Sequence, residues 1–173
     1  MVIDTNLFDP SERTEILNHP SRSAHYLSDM STRENNVKLL MDEAFLRMDF
    51  VPEQSLIRLV WHGHAGSGQY RYGLERALAF VRSHGVRRWL ADLRDMTAIL
   101  QEDEQWANTV WFPQLFGTGL EKMAILPSHD YFNQTSVQRS FTAVDGQLTF
   151  QVAWFESEQE ALDWLGKAEA RSA

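Results

Sequence analysis

"LIRLVWHGHAGSGQYRYGLERALAFVRSHG" (residues 56–85) decides the architecture. In its opening part Ile57, Leu59 and Trp61 fall on one face, the alternation of a half-buried strand. From Ser67 the period changes. Tyr70, Leu74, Ala77, Leu78 and Val81 make the apolar stripe of an amphipathic helix that runs to about His84. Gly85 suits its C-terminal cap. Strand, glycine turn and helix form the first half of a crossover unit.

The same layout outlines a phosphate-binding loop. Gly63 and Gly68 satisfy the G-x-x-x-x-G half of that motif. The other half needs a Lys to reach the terminal phosphates and a Ser or Thr to hold magnesium. Gln69 and Tyr70 stand there instead. Gln69 carries no charge, and Tyr70 belongs to the helix stripe. A dinucleotide loop fares no better. Gly66-Ser67-Gly68 is followed by Arg71 where the third glycine belongs, although Asp92 ends the next strand where a ribose-binding acid would sit. The turn reads as a flexible strand-to-helix connection, using glycine for positive φ. No nucleotide cofactor is expected.

The pattern continues on both sides. Upstream, "VKLLMD" and "AFLRMDF" read as short strands, with Leu46, Met48 and Phe50 sharing a face, and "VPEQS" is a turn. Downstream come a strand, "VRRWLAD", and a helix, "EDEQWANTVWFPQLF", whose Glu102, Asp103 and Glu104 favour the positive end of its dipole. "MAIL" is a buried strand closed by Pro127. A helix near Gln134 to Phe141 follows, and then "LTFQVAWF", where Leu148, Phe150, Val152 and Trp154 alternate onto one face. The last helix opens with the capping box Ser157 and Glu160, and its stripe is Ala161, Trp164, Leu165 and Ala168. Helices alternating with strands argue for an α/β fold: a mixed β-sheet with packed helices and right-handed crossovers.

Residues 36–173 read as this one domain. Residues 1–35 are rich in Ser, Asn, Asp, Arg and His and read as a polar arm, with Asp9 and Pro10 able to start a short helix. The chain has 173 residues, six Trp and ten Phe, enough for a sizeable core. Its formal net charge of −8 opposes nucleic acid and anionic membranes as partners, though Arg71, Arg76, Arg82, Arg87 and Arg88 could form a local basic patch. There is no cysteine, which excludes disulfides, thiolate catalysis and Cys-based zinc sites. No apolar leader and no run of membrane-spanning length occur, so a cytoplasmic protein without membrane insertion is expected.

Other chemical suspects dissolve on inspection. His62 and His64 share a side only if the strand continues through Gly63, and no acid or third histidine is fixed beside them. Asp92 and Asp95 resemble a phosphoacceptor site, but Lys122 precedes its strand instead of ending it. They read as turn-forming acids. No G-x-S-x-G elbow is present. No catalytic residue, cofactor or metal is assigned.

"VWHG", "YRYGLERALAFV", "RRWLADLRDM", "EDEQWANTVWFPQL", "GLEKMAIL" and "FESEQEALDWL" together resemble the STAS superfamily in its SpoIIAA-like, SEC14-related bacterial branch. The resemblance implies a small STAS-like α/β domain that acts through protein contacts, as anti-sigma-factor antagonists do. Those antagonists are switched by phosphorylating a serine before a helix. Counted from Asp92, the switch region here holds Asp92, Asp95, Thr97, Gln101 and Asp103. Gln101 occupies the serine place and Thr97 is the nearest hydroxyl, so the switch is expected to be absent. Glu102 and Asp103 could imitate its charge.

The expected function is a non-enzymatic regulatory or protein-interaction module. The alternative, implied by SEC14-type relatives and by the many aromatics, is a binder of a small apolar ligand or lipid. In the helix at 102–116, Trp106, Val110 and Pro113 form one stripe, expected to face the sheet, and Pro113 should bend or end the helix. Trp111, Phe112 and Phe116 are then expected to face outward as a protein interface, most simply with a second copy in a homodimer.

Overall fold

The computed structural model describes residues 36–167. The polar arm, with Asp9 and Pro10, and Ala168 of the last stripe lie outside the described residues. Three antiparallel strands come first: β1 (Lys38–Glu43), β2 (Leu46–Val51) and β3 (Leu56–Gly63). Leu46, Met48 and Phe50 are all buried, as their alternation requires. β4 (Arg88–Met96), β5 (Lys122–Leu126) and β6 (Gln151–Trp154) then add in parallel, giving a six-stranded mixed sheet in order β1-β2-β3-β4-β5-β6.

The connections are helical. α1 (Ser67–His84) joins β3 to β4, and α3 (Tyr131–Val144) joins β5 to β6. Between β4 and β5 lies α2, a rod in three pieces: α-helical Gln101–Trp106, π-helical Ala107–Trp111 and α-helical Phe112–Leu115. α4 (Glu158–Gly166) closes the described chain. Sheet order equals sequence order, so every parallel crossover steps in one direction, and crossovers of one hand place α1, α2 and α3 on the same face. Their buried residues share a cluster with Ile57, Leu59, Trp61, Trp89, Met123 and Ile125. α4 folds back on the opposite face, where Ala161 and Leu165 meet Leu56, Leu90, Ala124 and Leu126.

The glycine turn has a structural job. Gly63 ends β3 with φ 57°, a conformation that favours glycine. The Gly66 N–H donates to Gln69 Oε1 at 3.0 Å, so the residue in the lysine place caps its own helix. Further along α1, a Cβ on Gly73 would lie 2.6 Å from Leu46 Cδ2 and 2.8 Å from the Trp61 ring. The missing side chain lets α1 sit close on β2 and β3.

Two expectations about element limits change. β4 does not stop at Asp92 but runs on to Met96. β6 starts only at Gln151, after a 3-10 turn at Asp145–Gln147, so Leu148 is not part of it.

The outward aromatic stripe on α2 is also corrected. Trp111 and Phe112 are buried, 3% and 5% exposed, and Phe116 packs partly buried against the same core. Trp111 Nε1 donates to the Leu74 carbonyl at 2.9 Å, and its ring meets Trp89 edge-on. Val110 and Pro113 face solvent instead. Glu104, Ala107, Trp111, Phe112 and Leu115 also share one helical face, and it carries more apolar area than the Trp106 stripe. The helix does not end at Pro113. The π-helical turn, in which Phe112 N–H reaches the Ala107 carbonyl, widens the rod just before the proline ring. Gln114 Nε2 then satisfies the Val110 carbonyl at 2.9 Å.

Candidate functional site

The carboxyl ends of the parallel strands are where open α/β sheets hold ligands. Here that end is roofed by the loop after β4, by α2 and by the start of α3. Running back from that end along β4, beneath α1, α2 and the middle of α3, is a cavity of about 80 Å³ whose lining reaches Trp89 and Met123 near the strands' amino ends. Trp61, Trp89, Trp111, Leu93, Met96 and Met123 supply apolar walls, and Tyr70, Glu104, Ser136 and Ser140 the polar ones.

Glu104 is the central polar group. Arg139 grips its carboxylate with two hydrogen bonds, Nε at 3.0 Å and Nη2 at 2.7 Å. The Arg139 hydrogen bond holds Glu104 below the usual carboxylate range, against burial, with Ser136 helping. Burial pushes the Tyr70 phenol well up, and the charges of Asp103 and Glu104 add to this, so it is a proton-bearing hydroxyl. Asp103 is buried and fully engaged: Ser67 Oγ donates at 2.6 Å and Arg71 Nε at 2.8 Å. The Arg71 guanidinium also lies 5.3 Å above the Trp106 ring.

Outside the cavity an open groove runs between α2 and α3, lined by Ile99, Glu104, Tyr131, Phe132, Ser136 and Arg139 among others. Its rim is apolar and unusually exposed. Of its lining residues Tyr131 is 72% exposed and Phe132 69%; Leu100, between the lining residues Ile99 and Gln101, is 46% exposed. Asp130 caps α3 by accepting the Asn133 N–H at 2.9 Å. Asn133 Nδ2 donates to the Thr97 carbonyl at 2.8 Å, which ties α3 to the loop after β4. The position of the rim is therefore held by backbone-directed hydrogen bonds.

The residues of the expected switch region divide. Thr97 begins the loop, with its N–H on the Gly63 carbonyl at 2.9 Å, and Gln101 is the exposed first residue of α2. Asp103 faces inward as described. Asp95 is exposed on β4, in register with His62. Asp92 is not at a strand end. It sits within β4, and Arg94 grips it at 2.9 and 2.6 Å while also reaching Glu158 of α4 at 3.3 Å. That pairing raises the Arg94 pKa, the Asp92 hydrogen bond first. The basic patch is dispersed as well. Arg71 serves Asp103, Arg87 serves Glu121 at 2.7 Å, and Arg82 and Arg88 bond the carbonyls of Gln114 and Gln54.

Among the described residues, no three His, Cys, Asp or Glu side chains converge as a metal site. Among them too, no helix is long and apolar enough to cross a membrane. Sequence reasoning missed Glu104, Ser136, Arg139, Tyr131 and Phe132 as site residues. The Glu104–Arg139 pair spans 35 positions and leaves no local trace. The adjacent aromatics Tyr131 and Phe132, directly after an Asp cap, were the one available signal.

A mixed six-stranded sheet with helices on both faces defines an α/β domain of STAS-like type. The family model described as SpoIIAA-like matches residues 56–166, and the chain belongs to that family. No curated protein matches it. Among solved structures it is similar to an uncharacterised DUF3478-family protein with a SpoIIAA-like fold from Shewanella loihica. The two are 15% identical, with a TM-score of 0.43, over 75% of this chain and 91% of the other.

Proposed function

We propose that this domain is a non-enzymatic protein-interaction module with a regulatory role, and that its docking surface is the α2–α3 groove. One observation carries the reading: Tyr131 and Phe132 expose large apolar area along a groove on an ordered frame, and Leu100, between the lining residues Ile99 and Gln101, adds an exposed side chain next to them in the chain. Tyr131 and Phe132 meet edge to face at 5.9 Å, leaving both rings available to a partner. The groove's carboxylate and guanidinium already neutralise each other, so contact there is governed by shape and apolar area. No phosphoserine switch is part of the proposal, because Gln101 stands in the serine place.

A photo-crosslinking residue at Phe132, in cells that produce the protein, tests this. The expected result is a discrete protein adduct that disappears when Tyr131 and Leu100 are changed to Ser in a protein that still melts cooperatively. Adduct formation indifferent to those changes would sink it.

The cavity favours a second reading, a binder of a small apolar ligand. Its walls are largely aromatic and its polar groups are a carboxylate and three hydroxyls. At about 80 Å³ it is smaller than the roughly 150 Å³ cavity that accepts benzene, so a lipid chain does not fit it as it stands. Native mass spectrometry of the purified protein distinguishes the readings: a retained small molecule favours the binder.

A further inference from the structure

The sheet has two edges, and they are built differently. β1 carries Lys38, Asp42 and Glu43, and its register with β2 is irregular between Leu39 and Met41. Charges and bulges are devices that stop an edge strand from recruiting another strand. β6 has neither. Gln151-Val152-Ala153-Trp154 contains no charge and no proline, and it pairs with β5 in unbroken register. The N–H groups of Gln151 and Phe155 donate to the Glu121 and Ile125 carbonyls, each at 2.9 Å. Strand alternation therefore turns the N–H and C=O groups of Val152 and Trp154 away from β5. Among the described residues nothing pairs with them.

A groove of about 470 Å³ lies beside these groups, between β6 and α3. Phe141, Leu148, Val152 and Trp154 make its apolar lining. Asp145 also lines it, and Glu156 follows just beyond the strand. Both acids are exposed; among the described residues neither is in an ion pair and no Lys or Arg lines the groove.

We infer that β6 accepts a further strand from a partner: an extended peptide segment with an aliphatic or β-branched side chain for the groove and Lys or Arg on either side. Backbone pairing to Val152 and Trp154 holds the segment, the groove selects its alternate side chains, and Asp145 and Glu156 select its charge. A second copy of this chain fits less well. Two four-residue strands about 13 Å long would cover a few hundred Å² at most, against roughly 1,200–2,000 Å² for a stable interface. They would also add acids to acids. This surface is separate from the Leu100–Tyr131–Phe132 rim and does not depend on it.

The test is an amide NMR titration of the full chain with acetyl-Lys-Val-Thr-Val-Thr-Lys-amide. Its control is the same peptide ending in Glu at both positions. The expected result is slowed exchange of the Val152 and Trp154 amides, with the Lys peptide binding about fivefold tighter than the Glu peptide. The Asp145→Lys/Glu156→Lys variant should reverse that order. Trp154→Lys, which puts a cation on the groove wall without touching the β5 pairing, should abolish binding of the Lys peptide. Equal affinity for the two peptides, shifts confined to other elements, or no shift at millimolar peptide would overturn the inference. So would protection of Val152 and Trp154 that grows with protein concentration alone, which would assign the edge to a second copy.

Discussion

The two faces of the sheet solve burial in different ways. The face under α1, α2 and α3 is covered by three helices and is almost wholly apolar, with Trp61, Trp89, Trp111 and Phe112 at its centre. The other face has one nine-residue helix, α4, and a much smaller apolar cluster. Charges complete it. Asp49, 3% exposed, takes Arg58 Nε at 2.6 Å; Asp92 takes Arg94; and Lys122 reaches across to α4. Three helices exclude water, so the polar groups buried there, such as Asp103 and the Trp111 indole N–H, must find their partners within the protein. One helix leaves margins, and there a paired charge keeps contact with solvent at its edge.

The sharpest way to break this contrast is at the covered face. Trp111→Ala should cost about 3–5 kcal/mol by denaturant unfolding, because it deletes a buried ring and leaves a cavity. A variant as stable as the wild type would mean that α2 does not seal that face. Light scattering of the same variant is the cross-check: a folded protein of reduced mass would place the ring in an interface between copies instead of in the core.

The next test falls on the charged face. Lys122 Nζ donates to the carbonyls of Trp164 at 3.2 Å and Lys167 at 2.7 Å, and lies 5.0 Å over the Trp164 ring. A lysine from a neighbouring strand thus caps the C-terminus of α4. Lys122→Met keeps the stem and removes the donor. It should cost about 1–3 kcal/mol. Hydrogen exchange should show the loss concentrated in α4, leaving α1 protected. Uniform loss across both helices would show that the two faces are not separable.

Gly73→Ala returns to the covered face with a smaller change. The added methyl meets Leu46 and Trp61, both buried, so overpacking of about 1–3 kcal/mol is offset by up to roughly 1 kcal/mol of helix propensity. A net loss near 1 kcal/mol is expected in thermal melts. A gain would show that α1 has room to move.

The smallest effect lies at the rim, where charge borders the covered face. Glu104 has a lowered folded pKa, so its contribution is full above the ordinary glutamate value near 4.3 and is lost as pH falls through the folded value. Glu104→Gln should therefore melt at lower temperature than the wild type near neutral pH, with the gap closing on acidification. Added salt should shrink the gap, because Arg139 is exposed. A gap that widens in acid would mean that the pair does not stabilise the fold.

The sequence by itself determined the order of elements and which strand residues point inward. Ile57, Leu59 and Trp61, or Leu46, Met48 and Phe50, need only a period of two, and the α1 stripe only one of 3.6. Such periods are local, so they are readable without neighbours. The start of α1, its Gly85 cap and the Ser157 cap of α4 are local too. The α2 helix marks where local reading ends. It is apolar on several sides, and period alone does not rank Trp106, Val110 and Pro113 against Ala107, Trp111 and Phe112. Only the presence of Leu74 and Trp89 across the gap ranks them, and the π-helical turn that carries the rod past Pro113 is likewise a product of that packing. The site is non-local for the same reason. Glu104 meets Arg139, Ser67 meets Asp103 and Lys122 meets the end of α4 across dozens of positions. A hydrogen bond between groups so far apart leaves no periodic signal. Charge at Asp92 was legible, but the extra strand length that places it on the α4 face beside Arg94 came from pairing with β3, and pairing is a property of the assembled sheet.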